Sequence, residues 1–139
     1  MTLALRRLKT KAWYRVSVSA FYFAQGLVFA SWASRIPDIK NALNISASQL
    51  GSALLIIPTG EFATMALAGY LVSKFGSRRM LVIAALTYPL TLVGIGLAGS
   101  LAQLYGVLFF FGVFANLSNI SVNTQAVGIE RLYRRSIMG

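Results

Sequence analysis

The sequence predicts an all-α, polytopic membrane protein with four transmembrane helices. Three observations carry this. Hydrophobic residues make up 57% of the 139 and charged residues only 12%, whereas a soluble domain is roughly 45–50% apolar and about 25% charged. So short a chain cannot hide that much apolar surface in one water-soluble core, and the excess has to face lipid. The charges are also absent from long stretches: none over 16–34, Glu61 alone over 41–73, and none over 80–129. Finally, the cations collect in clusters between those stretches.

The stretch lengths set the number of spans. A helix crosses the roughly 30 Å of hydrocarbon with about 20 residues at ~1.5 Å each. The first gap therefore holds one span, over 16–34. The second also holds one, over 48–72, because two spans and a turn need about 40 residues. As a single helix the third gap would run about 75 Å, so it folds back. Its turn signal is Gly99-Ser100, with Gln103 just beyond. That divides it into spans over 79–98 and 101–129.

Span one carries Tyr22, Gln25, Phe29 and Trp32 at i, i+3, i+7 and i+10, on one helix face. This is either a packing face, with Trp32 in an interfacial aromatic belt, or a wall of a polar cavity. Ser31-Trp32-Ala33 loosely fits a signal cleavage site. The apolar stretch is longer and more aromatic than a signal-peptide core, however, so span one is read as retained. In the outer segment that follows, Pro37 suits a first helical turn and Asp38 the positive end of a helix dipole, which predicts a short surface helix. Asn44-Ile-Ser46 matches a glycosylation acceptor only in the weak sense that any such tripeptide does.

Ser46-x-x-Gln49 reads as a capping box opening span two. Pro58 predicts a disturbed ladder near mid-span. Glu61 falls near the bilayer centre, where an ionised carboxylate costs at least ~2.5 kcal/mol. It is paired, protonated or facing water. It is the candidate for proton coupling or solute contact, against the plainer reading of a protonated group bonded between helices. Gly69 is expected to let two helices approach at the end of this span.

Lys74, Gly76, Arg78 and Arg79 follow in a tight hairpin over 73–78. Gly76 supplies the turn's backbone freedom, and Ser77 is the expected cap of span three. In span three, Tyr88-Pro89 and Gly94-Ile95-Gly96 mark bending or close approach. Span four places Gly112, Asn116, Asn119 and Asn123 on one face, with Glu130 further along the same stripe. Amides in a membrane helix need partners, so this face is either a cavity wall or an interhelical amide zipper.

Charge position sets the topology. Five cations precede span one (Arg6, Arg7, Lys9, Lys11, Arg15), three lie between spans two and three, and three follow span four (Arg131, Arg134, Arg135). Only Arg35 and Lys40 fall on the other side. The positive-inside pattern puts both termini and the 73–78 loop in the cytoplasm. The net charge of +10 is thus an address on the bilayer, and no nucleic-acid partner is expected. With no Cys, no His and three acids (Asp38, Glu61, Glu130), the chain is not read as an enzyme, and no metal or cofactor is expected.

The spacing Gly69-x-Leu71-x-x-Lys74-x-Gly76-x-Arg78-Arg79 between spans two and three resembles the loop signature of the major facilitator superfamily. "ASWASRIPDIK" after span one and "NTQAVGIERLYRRSIM" after span four look like a sugar-permease-related branch of bacterial facilitators, near the fucose-permease type. The resemblance covers essentially the whole chain. It implies that the four helices form part of the amino-terminal half of a major-facilitator fold in a bacterial inner membrane. It also implies a gating role for Gly69, Lys74, Gly76, Arg78 and Arg79. One position departs: Ser73 stands where the family usually has an Asp that ties the loop to the opposite half.

Such transporters have twelve helices in two halves, each half made of two three-helix repeats. Four helices are part of that, so the chain is expected to be an amino-terminal fragment, with the remaining helices of the same transporter as partners. The implied function is secondary active transport of a small polar solute, a sugar by resemblance, through alternating access. Protons are the candidate coupling ion. The alternatives are a complete four-helix oligomeric exporter of the small-multidrug type and a non-transporting membrane scaffold. The small exporters usually keep their key carboxylate in the first helix, and span one has none.

Overall fold

A computed structural model describes the backbone of residues 2–133 and the side chains of residues 13–129. The described residues are all-helical, in four helices: α1 (Thr2–Ala42), α2 (Ala47–Phe75), α3 (Ser77–Leu97) and α4 (Leu101–Tyr133). Each contains a stretch long and apolar enough to cross a membrane: Trp13–Ala42, Ala47–Phe75, Ser77–Leu97 and Leu101–Ile129.

The surface helix expected after span one is not a separate element. α1 runs through Pro37 to Ala42 without a break. Trp32, Ile36 and Ile39, at i, i+4 and i+7, all pack on the core. That continuous apolar stripe holds the segment helical across a proline that donates no hydrogen bond. The turn to α2 uses Asn44 at φ 51°, a left-handed conformation that Asn tolerates. The Ser46 hydroxyl then accepts from Gln49 N at 3.2 Å, and Gln49 Oε1 accepts from Ser46 N at 2.9 Å. The capping box is complete, and the Asn44-Ile45-Ser46 tripeptide is spent on this turn.

The α3–α4 turn repeats the device. Ser100 Oγ accepts from Gln103 N at 3.3 Å, and Gln103 Oε1 accepts from Gly99 N at 2.9 Å. Between α2 and α3 there is only Gly76, at φ 87° and ψ 140°. Its N–H closes α2 on Val72 O and its carbonyl starts α3 on Met80 N. Side-chain-bearing residues rarely adopt this conformation. Ser77, the expected cap, is instead the first residue of α3, and the helix start has no side-chain cap.

α4 is the central helix and packs against α2, α3 and α1. The larger core cluster surrounds Phe111, whose ring centroid lies 4.8 Å from Tyr88 and 6.1 Å from Trp32, both tilted. Such pairs add about 0.5–1.5 kcal/mol beyond their burial. A smaller cluster of Ala68, Val72, Met80, Ala84 and Leu117 closes the other end. Large apolar side chains such as Phe62, Leu86, Leu90 and Leu97 stand exposed on the outside, where lipid solvates them.

Lipid gives helices no hydrophobic reason to associate, so close packing has to hold them. The closest approach joins α2 to α4 at Gly60 and Gly112. A Cβ on Gly60 would overlap the carbonyl oxygen of Phe109 and sit 3.3 Å from Val113 N. A Cβ on Gly112 would overlap the carbonyl oxygen of Ile57 and sit 3.3 Å from Glu61 N. The contact is reciprocal: each glycine meets the backbone three residues before, and one after, its partner. The Cα hydrogens there face carbonyl oxygens, contacts worth perhaps ~0.5–1 kcal/mol each. Gly69, where the sequence suggested such an approach, has nothing within 4 Å of its Cβ direction. The buried stripe of α2 runs through Ala53, Ile57, Gly60, Ala68 and Val72, and Gly69 faces away from it. Gly94 does pack closely, with Val107 Cγ1 3.1 Å from its Cβ position, whereas Gly96 meets nothing.

Candidate functional site

Three groups of polar residues bring the sequence-marked positions together. The first joins α1 to α4. Tyr22 Oη donates to Asn123 Oδ1, and Asn123 Nδ2 donates to Asn119 Oδ1 at 3.2 Å. The two asparagines are one turn apart, so their amides chain along the helix, and the Tyr22 hydroxyl donates into that chain from across the interface. Tyr22 and Asn119 are exposed and Asn123 is half-buried. Of the other residues on the Tyr22 face, Gln25 is half-buried and Phe29 exposed. Trp32 leaves this group: at 2% exposure it sits in the core against Phe111. Ten residues along a 3.6-residue helix are enough rotation, summed with the packing of α1 on α4, to carry its ring inward.

The second group joins α2 to α4 beside the glycine contact. Asn116 Nδ2 donates to the backbone carbonyl of Glu61 at 3.0 Å and lies 3.4 Å from Thr64 Oγ1. Thr64 Oγ1 in turn donates to Gly60 O at 2.7 Å. The asparagine stripe therefore divides. Asn116 is tied into the helix interface, while Asn119 and Asn123 remain on the side of Tyr22. Gly112 belongs with Asn116, since its role is backbone contact.

Glu61 is the central residue of α2. Its backbone is fixed by Asn116, but its side chain is exposed on the bundle surface. Among the described residues no hydrogen bond or ion pair reaches the carboxylate. Several other hydroxyls in the spans bond back onto their own helices, as Thr59 does to Leu55 O and Thr87 to Ile83 O. Such residues need no partner from lipid. A further interhelical bond joins Ser52 Oγ and Tyr105 Oη at 2.6 Å. Neither Ser52 nor Thr64 was marked by periodicity. The signal available was only a hydroxyl inside an apolar run, which usually back-bonds.

The third group is the α2–α3 turn. Ser73 Oγ donates to Tyr70 O at 2.8 Å. Lys74 Nζ donates to Tyr70 Oη at 3.0 Å and lies 5.3 Å and 5.5 Å from the ring centroids of Tyr70 and Phe75. Both side chains fold onto α2. Arg78 and Arg79 are exposed. Ser77 Oγ accepts from Gln125 Nε2 of α4 at 2.7 Å, a contact the sequence did not reveal. Glu130 and the terminal cations Arg6, Arg7, Lys9, Lys11, Arg131, Arg134 and Arg135 lie outside the residues whose side chains are described. No group of three or more His, Cys, Asp and Glu among the described residues is placed to hold a metal ion.

Among the described residues, this geometry offers hydrogen-bonding groups set within apolar walls. The Major Facilitator Superfamily profile matches residues 16–135. The membrane protein MosC of Rhizobium meliloti is 38% identical over 114 residues, 82% of this chain and 28% of that protein. An uncharacterised MFS-type transporter of Yersinia pestis is 31% identical over 124 residues, 89% of this chain and 32% of its own. The uncharacterised transporter y4wD of Sinorhizobium fredii is 27% identical over 134 residues, 96% and 35% respectively. The chain thus spans about a third, or less, of the length of the curated relatives it matches. No solved structure matches it significantly. The four-helix exporter and the scaffold are not favoured by these relatives, which point to a membrane transporter and away from an enzyme. With its four apolar helices long enough to cross a membrane, its α2–α3 turn spacing and a family match over residues 16–135, the chain belongs to the Major Facilitator Superfamily.

Proposed function

We propose that these helices serve secondary active transport of a small polar solute by alternating access, with a sugar as the leading class. The observation that carries this is the Tyr22–Asn123–Asn119 chain. It presents a phenol and two amides from two helices inside apolar spans, with Gln25 and the Phe29 ring on the same α1 face. Amides bond sugar hydroxyls in either sense, and aromatic rings stack on sugar faces. A solute would compete for Asn119 and Asn123, opening the link between α1 and α4. Trp32 and Asn116 have structural duties and stand behind that surface.

The proposal includes proton coupling through Glu61, supported by its mid-helix position and by a carboxylate that no hydrogen bond or ion pair from a described residue reaches. It includes a gating role for the α2–α3 turn, with Gly69, Lys74, Gly76, Arg78 and Arg79. It places the chain in a bacterial inner membrane with both termini cytoplasmic, on the charge asymmetry. It also has the four helices working with further helices of the same transporter, on the length of the relatives.

Uptake of a sugar panel into proteoliposomes, with and without a pH gradient, tests this. Asn119→Ala and Asn123→Ala should each lower uptake of the accepted solute at least ~10-fold, the effect of losing a hydrogen bond or two to the solute. Glu61→Gln should abolish the dependence on the gradient. Unchanged solute affinity in both asparagine variants removes the site; unchanged gradient dependence in Glu61→Gln removes the coupling. A reporter fused at either terminus and found outside removes the topology.

A further inference from the structure

We propose that Gln125 is a positioning residue for the α2–α3 turn. From α4 its amide holds Ser77, the first residue of α3, and so fixes the direction in which Arg78 and Arg79 leave the helix. This rests on the gating reading of the turn given above and adds to it a residue outside the loop signature.

The turn lacks other restraints of this kind. Its single residue, Gly76, has nothing within 4 Å of its Cβ direction, and the start of α3 has no side-chain cap. Ser73 and Lys74 bond only within α2 in the interactions described. Ser73 therefore makes no tie to another element, at the position where the loop signature ordinarily supplies an acid. The Gln125–Ser77 bond, 2.7 Å and half-buried, is the side-chain hydrogen bond that runs from the turn to another helix among the described residues. Both residues are half-buried, and this partial exclusion of water strengthens the bond.

The location of Gln125 gives the bond a second property. Asn123 precedes it by two residues, about 200° around the helix. Asn123 bonds Tyr22 on α1 while Gln125 bonds Ser77 on α3. The inner end of α4 is thus held from two sides. A rotation of α4 that releases Asn123 from Tyr22 also carries Gln125 relative to Ser77. The tie within this half replaces, for the turn, the anchor that Ser73 does not provide.

Amide hydrogen exchange in the membrane-embedded chain tests the assignment without requiring a known solute. Gln125→Ala should speed exchange of the amides of 80–82, which follow the turn, by about 2- to 10-fold, the size expected for one neutral hydrogen bond. Ser77→Ala should do the same, and the double variant no more than either alone. Gln125→Glu should restore slow exchange, because its carboxylate accepts from the Ser77 hydroxyl. Unchanged exchange in Gln125→Ala, additive effects in the double variant, or failure of Gln125→Glu to restore protection would each overturn the proposal. The gating reading is tested separately by uptake in Arg78→Ala and Arg79→Ala. If those leave transport untouched, gating falls while the positioning role of Gln125 stands on its exchange data.

Discussion

Substituting Gly112 by Ala puts a methyl group where the α2 backbone already is. The added Cβ would lie 3.0 Å from the carbonyl carbon of Ile57 and 3.3 Å from Glu61 N. Non-bonded carbons prefer about 3.5–4.0 Å, so α2 and α4 must part by roughly 0.5–1 Å, a gap that forfeits a quarter to a half of each dispersion contact across it. Backbone cannot rotate out of the way as a side-chain tip can. Overpacking of this type costs typically ~1–3 kcal/mol. Here the loss of the Cα–H contacts adds to it, and we expect the upper half of that range. The measurement is thermal unfolding in detergent, followed through Trp32, which is buried against Phe111. Gly112→Ala should melt several degrees below the parent. Gly60→Ala, 3.2 Å from Phe109 C, should behave alike, and the double variant should cost less than the sum, since the first methyl has already separated the helices. Gly106→Ala is the control: nothing lies within 4 Å of that position, and helix propensity favours Ala by up to ~1 kcal/mol. If Gly112→Ala melts together with Gly106→Ala, the backbone contact does not hold this pair of helices and the reasoning fails.

The division of the α1 face gives a second expectation. Trp32→Ala should lower stability by ~3–5 kcal/mol, as for a large aromatic removed from a packed core, whereas Phe29→Ala should stay within about 0.5 kcal/mol. Thermal melts followed by far-ultraviolet circular dichroism compare them, and equal losses would put both residues in one environment. The turn gives a third. Gly76→Ala forces a side chain into φ 87° at a cost of ~1–3 kcal/mol, while Gly69→Ala should be neutral or slightly stabilising. A harmless Gly76→Ala would mean the helices join through a different backbone geometry.

What the amino-acid sequence determined by itself is what depends on local composition. The number of helices follows from how far an apolar run extends before a charge or a Gly-Ser pair interrupts it. The capping box at Ser46 and Gln49 and the turn at Gly99-Ser100 follow from bonds between residues three or four apart. The family was likewise legible, because the Gly69 to Arg79 spacing is a local signature.

Tertiary structure decided which face of each helix meets which neighbour. Four apolar helices in lipid carry little polar-versus-apolar contrast to mark an inward side. Periodicity therefore grouped Trp32 with Tyr22, and Asn116 with Asn119 and Asn123, and packing separated them. It also moved the close approach from Gly69 to Gly60 and Gly112. A glycine contact needs two backbones at once, from positions 52 residues apart in sequence. The Gln125–Ser77 bond, at a separation of 48, was hidden for the same reason: an isolated amide shows its partner only after the chain has brought the two helices side by side.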